Sequence, residues 1–596
     1  VKISSEVRNG TDAVVDVVVH ARVLNPKGEP VQTTPVKLRL AGNETRTVEH
    51  VIDVRSPKLW SLESPELYVA EVGIVAAGKT IDRTLTRFGI RKIEVDAVNG
   101  FRLNGQMIKL KGGNMHHDNG PLGSVAIDRA EERRVELMKA NGFNAIRTAH
   151  NPPSPEFLAA CDRLGVLVLN EAFDTWEVGK NGQDYSVHFK EWVQRDIAAM
   201  VRRDRNHPSV VMWSIGNEIP EQFDSDVIAK MLREAVLAHD STRLIYQAIC
   251  YNWGAVDWNW DQRSDIAFSH LDVGGYNYLP AKYESDHVRN PQRVMMGTES
   301  YPNAFFDYWE LVEKHPYVIG DFVWTAMDYF GESGIGHAVS SAEKESFLMP
   351  WPWYNAWCGD IDVCGFKKSQ SYYRDVVWRR SQIEMAVHAP LPEGVTERVS
   401  GWGWPDEHRS WNWPGREGKP LQVAVYSRCD TVRLELNGKV IDEKPVSAAT
   451  KLTVKFDVPY KPGELRAIGL INGKPVANTV LKTTGPAKQV RLTADRSTIR
   501  ADRNDLSYVT VEIVDEHGVL VPDAATSVRF TLAGAGELAA TGSAAPNAPA
   551  SFQAPLRTTY QGRCLAILRP KGAAGPITLK AEADGLQAAI IVVQTR

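Results

Sequence analysis

The sequence predicts a multidomain protein, a (β/α)8 TIM barrel flanked by immunoglobulin-like β-sandwich domains. Three observations carry that prediction. Between about residues 101 and 385, strand-like apolar runs alternate with amphipathic helical patterns, the rhythm of a parallel barrel. On either side the helical period disappears, and period-2 alternation broken by turn residues replaces it. At 596 residues the chain is also far longer than one hydrophobic core serves.

Residues 1–88 read as a first sandwich. Val14–His20 and Val36–Leu40 mix apolar runs with alternation, and Asn25-Pro-Lys-Gly28 is a turn between them. Residues 89–385 form the barrel. Its eight candidate strands are Ile108–Asn114, Ala145–Thr148, Val166–Ala172, Val210–Asn217, Arg243–Ile249, Asp272–Tyr278, Arg293–Ser300 and Val318–Tyr329. Amphipathic helices are expected at Asp128–Ala140, Glu156–Leu164 and Phe189–Arg203, with Asp128 and Ser154 as N-caps. The fifth and sixth units are the least regular, and Gly331–Gly365 reads as a Trp-rich loop after the eighth strand. Residues 386–484 form a sandwich with a loop-like lead-in holding Trp402, Trp404, Trp411 and Trp413, expected to pack a domain junction. Residues 485–596 form a C-terminal immunoglobulin-like sandwich. Asn437-Gly438, Asn472-Gly473 and His517-Gly518 mark turns in these two modules.

Net charge is −4 with a pI near 6.5, which gives no electrostatic case for nucleic acid or an anionic membrane. No apolar run reaches the roughly 18 residues that span a bilayer. The chain opens on Val1 in β-like sequence with no signal peptide visible, as in a processed or truncated product. The six cysteines are sparse for this length and suggest neither a disulfide scaffold nor a metal cluster; Cys358 and Cys364 pair or are both free. The 17 tryptophans cluster, and flat rings with a polar edge suit sugar faces as well as cores. Trp253, Trp258 and Trp260 in one loop fit either use.

In a barrel of this type the chemistry gathers at the C-terminal ends of the strands. The candidate strands end accordingly: Asn114-Met-His116-His117-Asp118, Arg147-Thr-Ala-His150, Glu171-Ala-Phe-Asp174-Thr-Trp176, Asn217-Glu218, Tyr276-Asn277-Tyr278, Glu299, and Trp324 on the eighth. Glu218 and Glu299 each close an apolar run, where a lone carboxylate is costly and rarely serves packing. Paired acids on separate strands suit cleavage of a glycosidic bond.

Taken in order, Arg87-Phe-Gly-Ile-Arg91, Leu110-Lys-Gly-Gly-Asn-Met-His116-His-Asp118, Asn144-Ala-Ile-Arg147-Thr-Ala-His150-Asn-Pro152, Arg203-Asp-Arg-Asn-His-Pro-Ser209, Trp213-Ser-Ile-Gly-Asn-Glu218 and Gly297-Thr-Glu299 resemble glycoside hydrolase family 2. The tail Cys358-Gly-Asp-Ile-Asp-Val-Cys-Gly-Phe-Lys-Lys368 with Ser371-Tyr-Tyr-Arg374, and Val432-Arg-Leu-Glu-Leu-Asn-Gly438 beyond it, resemble the β-galactosidase branch. The resemblance implies Glu218 as acid/base and Glu299 as nucleophile. It implies substrate contacts from Asn217, His116, His150, Tyr278, Trp324, Asp174 and Trp176, and support from Arg147, Tyr276 and Asn277. Tyr278 would donate to the nucleophile, with Tyr276 as the alternative, and Arg147 would hold Glu299 ionised. His117 and Asp118 stand as further candidates.

The activity so implied is retaining hydrolysis of terminal non-reducing β-D-galactosides through a covalent glycosyl-enzyme, with carboxyls about 5–5.5 Å apart rather than the roughly 6.5–9.5 Å of inversion. A β-glucuronidase or β-mannosidase, or a non-catalytic carbohydrate-binding protein, is the alternative. Phe366 stands where the glucuronidase branch wants Asn, which argues for a neutral sugar. The partner is a β-galactoside oligosaccharide or glycoconjugate, with no nucleic acid, no membrane, no cofactor and no essential metal; a homo-oligomer remains open. Family members carry a jelly-roll sugar-binding domain ahead of the first sandwich. None is found in this chain, so a companion N-terminal sugar-binding domain or a longer chain is implied. Relatives of this layout point to a periplasmic or secreted location.

Overall fold

The computed structural model describes all residues except 222, 224, 225, 252–258, 344 and 345. Trp253 and Trp258 therefore lie outside the described residues. Eight parallel strands close into a barrel in chain order: β1 (Leu110–Met115), β2 (Ala145–Thr148), β3 (Leu167–Glu171), β4 (Val210–Asn217), β5 (Leu244–Ile249), β6 (Val273–Asn277), β7 (Met295–Ser300) and β8 (Val318–Val323). β8 pairs back to β1, with Leu110 opposite Gly320. Every residue of β4 is buried, as expected of a strand covered by side chains within and helices without.

The surrounding helices are α1 (Asp128–Ala140), α2 (Pro155–Leu164), α3 (Ser186–Asp204), α4 (Asp226–Leu237), α5 (Trp260–Phe268), α6 (Tyr283–Arg289), α7 (Phe305–Lys314) and α8 (Ser369–Val377). α2 follows its punctuation. Ser154 Oγ accepts the Phe157 N–H at 3.1 Å, Pro155 opens the first turn, and Gly165 closes the helix at φ 68°. Asp128 was expected to cap α1, but Ile127 holds that place and Asp128 is the first helical residue. There its charge still faces the positive end of the helix. β8 is shorter than the apolar run suggested, because the chain turns away after Val323 and the apolar residues that follow line the barrel mouth instead.

Before the barrel, a two-stranded sheet (Lys2–Arg8, Thr45–Val51) faces a four-stranded one over a core of Val17, Val19, Leu40 and Val48. After it, a sandwich packs around Trp411, Val423, Val432 and Phe456, and a last one around Val511, Phe530, Ile577 and Val593. Asn437-Gly438 and Asn472-Gly473 both take positive φ, the mirror-image turn that matches strand twist, and each joins two adjacent antiparallel strands. Residues 386–388, expected to open a loop, belong instead to a strand, Ile383–His388, that pairs with Pro420–Ser427. Cys358 and Cys364 are buried free thiols. Among the described residues no helix is long and apolar enough to cross a membrane.

Candidate active site

Arg147, in the middle of β2, is fully buried, so its guanidinium must find partners for each N–H. It finds them across the barrel mouth. Nε and Nη2 form a fork on Glu171 (2.8 and 2.9 Å), Nη1 donates to Asn114 Oδ1 (2.8 Å) and Glu299 Oε1 (2.9 Å), and Nη2 also donates to Asn217 Oδ1 (2.8 Å). Glu171, at the end of β3, accepts further bonds from Ser214 Oγ (2.8 Å) and Tyr246 OH (3.2 Å). One planar cation thus ties the ends of β1, β3, β4 and β7 together.

Glu218 and Glu299 open onto this mouth from opposite neighbours. Glu299 lies within β7, opposite Asn277 of β6. Glu218 is the first residue past β4, held at φ 45° while its N–H bonds the Ala248 carbonyl at 2.9 Å. That left-handed backbone is costly for a non-glycine residue and turns the side chain out of the strand's alternation. Asn277 Nδ2 donates to Glu218 Oε1 at 3.0 Å, and the Tyr278 hydroxyl donates to Glu299 Oε2 at 2.7 Å. Burial raises the Glu299 carboxyl above the ordinary range and the charge of Glu218 adds to it, while Arg147 and His150 oppose. Burial and both glutamates push the Tyr278 hydroxyl far up, so it stays a phenol that donates.

The remaining wall is aromatic and polar. His150 stacks on Trp324 at 5.1 Å and bonds Glu171 Oε1 through Nδ1 at 2.7 Å. Burial depresses its imidazolium, but Glu171 outweighs burial and the net shift is upward. His116 stacks on Tyr329 at 4.0 Å with an edge toward Trp324; its Nε2 is buried without a hydrogen-bond partner, and burial lowers its pKa to about 3. Asp174 takes Lys180 Nζ at 2.7 Å and Asn217 Nδ2 at 2.9 Å. Burial works against its charge, but His150, Lys180 and Asn217 outweigh it and bring Asp174 to about 2. Glu332, on the loop after β8, accepts the Tyr329 hydroxyl; burial raises its carboxyl, and Glu299 contributes in the same direction.

The structure therefore brings together Asn217, Glu218, His116, His150, Arg147, Asp174, Asn277, Tyr278, Glu299 and Trp324. It removes two expected residues. Trp176 is enclosed, its indole N–H on the Ile215 carbonyl at 2.9 Å, so it shapes β4 from behind rather than meeting a ligand. Tyr276 points away from the mouth, because side chains alternate along a strand. Its hydroxyl bonds Asp286 at 2.8 Å and its ring stacks on Phe268. Asp118 accepts the Gly120 and Phe330 N–H groups, and His117 is exposed. Trp260 donates to Asp286 within the helical layer.

Sequence reasoning marked Asn114 and Glu171 as polar strand ends without giving them a role, placed Trp402 elsewhere, and missed Lys180, Glu332 and Tyr301. Asn114 and Glu171 end their strands as the predicted residues do and were legible by the same rule. Trp402, expected at a domain junction, instead donates its N–H to the Tyr278 hydroxyl at 3.0 Å. Trp411 lies in the core of the following module. Cavities of about 720 and 660 Å³ lie elsewhere, one beside the first sandwich and one against the C-terminal modules. The convergence of charged side chains, not volume, marks the site. Two carboxyls in one mouth, each held by a different donor, can protonate a leaving oxygen and attack an acetal carbon.

Family models agree with this layout. Residues 93–343 match "Glycosyl hydrolases family 2, TIM barrel domain", residues 1–91 match "Glycosyl hydrolases family 2", and residues 490–592 match "Glycoside hydrolase family 2 C-terminal domain 5". The chain is 31% identical to the β-galactosidase BoGH2A of Bacteroides ovatus, over 98% of this chain and 73% of that protein. It is 29% identical to a putative β-glucuronidase of Formosa agariphila, over 86% of this chain and 50% of that one. A solved glycosyl hydrolase family 2 member from Bacteroides cellulosilyticus superposes with a TM-score of 0.93 at 39% identity, covering 100% of this chain and 76% of its own.

Proposed function

The chain belongs to glycoside hydrolase family 2, and from that premise we propose that it is a retaining exo-acting hydrolase of terminal β-D-galactosides. The observation that carries this reading is the split tenure of the two carboxyls, Glu218 on Asn277 and Glu299 on Tyr278. In the first step Glu218 gives its proton to the glycosidic oxygen while a Glu299 oxygen attacks the anomeric carbon. The C–O bond to the leaving group breaks and a glycosyl ester forms on Glu299. In the second step Glu218, now ionised, takes a proton from water as the water oxygen attacks the same carbon, and Glu299 leaves as carboxylate. Arg147 and the Tyr278 hydroxyl stabilise that departing charge. Asn217, anchored by Arg147 through Oδ1, presents its amide N–H to the sugar 2-hydroxyl. His116, whose Nε2 is enclosed, stands edge-on against Trp324, and the ring of Trp324 supplies a floor.

A neutral sugar is supported by what surrounds the pocket. Lys368, in the stretch where the glucuronidase branch carries its carboxylate-holding pair, is spent on both oxygens of Asp328 (3.0 and 3.1 Å) and on the Trp357 carbonyl (2.7 Å). Asp174 and Glu332 add two more carboxyls to the mouth, and a sugar carboxylate would meet like charge there. A β-glucuronidase is the second reading, favoured by the name of the Formosa relative. Turnover of p-nitrophenyl β-galactoside, glucuronide and mannoside separates these readings. We expect the galactoside to dominate, the first-formed sugar to be the β-anomer by NMR, and Glu299→Gln to lose at least about 10³ in kcat, the scale for a group acting on the reacting atoms. A dominant glucuronide, or an α-anomer formed first, overturns the assignment.

A further inference from the structure

Glu218 stands one residue past β4 in a left-handed turn, and its aim depends on the peptide that precedes it. Both groups of the Asn217–Glu218 peptide are held. The Glu218 N–H donates to the Ala248 carbonyl at 2.9 Å, and the Asn217 carbonyl accepts Lys180 Nζ at 3.1 Å. The peptide is planar, so gripping it at both ends fixes the direction from which the φ of 45° turns the Glu218 side chain.

Lys180 belongs to the loop between β3 and α3, which takes hold of the chain on both sides of Glu218. Before it, the Phe173 carbonyl accepts the Asn217 N–H at 3.1 Å. After it, Glu221 Oε1 accepts the Glu177 and Val178 N–H groups at 2.8 and 3.1 Å. Lys180 lies between these anchors, and its side chain is only 27% exposed. Its Nζ also donates to Asp174 Oδ1 at 2.7 Å, the same oxygen that accepts Asn217 Nδ2 at 2.9 Å. One ammonium thus joins the carboxylate that holds the Asn217 side chain to the carbonyl of the Asn217 backbone. As an ion pair between partly exposed groups Lys180–Asp174 would do little. The bond to the carbonyl gives it another consequence, because that carbonyl belongs to the peptide that carries the acid.

We propose that Lys180 is a positioning residue for proton transfer: through the Asn217 carbonyl it sets the peptide that aims Glu218 at the glycosidic oxygen. The inference rests on the reading of Glu218 as the acid/base.

The test is kcat/KM on aryl glycosides of whichever sugar the enzyme turns over, from dinitrophenyl, whose departure needs little protonation, to phenyl, whose departure depends on it. Glu218→Gln is the reference, and its loss should be far larger on the phenyl compound. Lys180→Met should show the same signature more weakly. Its loss on phenyl should exceed its loss on dinitrophenyl by about tenfold, a part of the roughly 10²–10⁴ that a well-placed general acid supplies. Lys180→Arg keeps a donor for the carbonyl and should recover much of that difference. A lysine that only supports the fold or the pocket would lower both substrates alike. Equal losses, no loss at all, or an arginine no better than methionine therefore overturns the proposal. If Glu218→Gln itself ignores the leaving group, the reading of Glu218 fails and takes this inference with it. If Glu218→Gln responds and Lys180→Met does not, this inference alone fails.

Discussion

Asn277 and Tyr278 are neighbours in the chain, and each holds a different carboxyl: Asn277 donates to Glu218 at 3.0 Å, Tyr278 to Glu299 at 2.7 Å. Asn277 is the last residue of β6 and lies opposite Glu299, while Tyr278 is held at φ 59° just beyond. The reversal of backbone at Tyr278 lets consecutive side chains serve the same mouth, which straight alternation would forbid. A single peptide thereby sets the relation between the two acids, and the Thr298 hydroxyl donates to Asn277 Oδ1 at 2.6 Å, so that Asn277 Nδ2 faces Glu218.

Burial raises the Glu299 carboxyl, and the Tyr278 hydroxyl that donates to its Oε2 at 2.7 Å favours the ionised form. In Tyr278→Phe that donor is gone, so Glu299 should ionise at higher pH. On an activated aryl glycoside, whose departure needs little protonation, the acidic limb of kcat/KM in Tyr278→Phe should therefore move to higher pH than in the wild type. A limb that stays in place or moves down would show that Glu299 does not set it.

Arg147→Lys keeps the charge and loses the fork. Lysine cannot reach Glu171, Glu299, Asn217 and Asn114 together, so buried acceptors go unpaired. We expect a loss of about 3 kcal/mol or more in urea unfolding, the scale of breaking a buried ion pair. We also expect kcat/KM to fall by roughly 10², because the pair drifts from its alignment. A variant with wild-type stability and rate would show that the network is dispensable.

Asp321 on β8 is fully enclosed. Ser300 Oγ donates to its Oδ2 at 2.7 Å, Oδ1 has no partner, and burial raises its pKa to about 7. An unfolded aspartate titrates near 3.9, so between about pH 4 and pH 7 the folded form holds a proton that the unfolded form has released. This contribution is present below about pH 4 and is lost as pH climbs through 7, by up to ~4 kcal/mol. Asp321→Asn cannot ionise. Urea midpoints at pH 5 and pH 8 should therefore differ less in Asp321→Asn than in the wild type, with the variant gaining at pH 8. Parallel pH dependence in the two proteins would remove Asp321 from the account.

Glu332 sits at the rim with its carboxyl against Tyr329, close enough to Glu299 for their charges to interact. If it repels a sugar carboxylate, Glu332→Gln should raise the glucuronide-to-galactoside ratio of kcat/KM by about tenfold, a modest share of a like-charge penalty. An unchanged ratio would leave the exclusion to Asp174 and to the pairing of Lys368 with Asp328.

The barrel was legible because a parallel strand covered on both faces is a continuous apolar run, and a polar residue ending such a run is conspicuous. Glu218, Asn217, Glu299, Asn114 and Glu171 all stood out on that ground, though the last two were given no role. Tyr276 and Tyr278 differ by one alternation and one positive φ, and a residue pattern does not fix which of them turns inward. Trp176 and Trp324 both follow strand ends, but only packing tells an indole against Ile215 from one stacked on His150. Trp402 carries no local signal. It stands 124 positions from Tyr278, and only the path of the chain joins them.

That path has a practical outcome for anyone dividing this molecule. The segment 400–402 is pinned to the barrel rim, with Ser400 accepting from Asn303 at 2.7 Å and Trp402 reaching Tyr278. A fragment cut after α8 keeps every carboxyl and every strand yet lacks a side of its own catalytic pocket. The smallest working unit runs past the last barrel helix into the following module, and the two are best expressed as one piece.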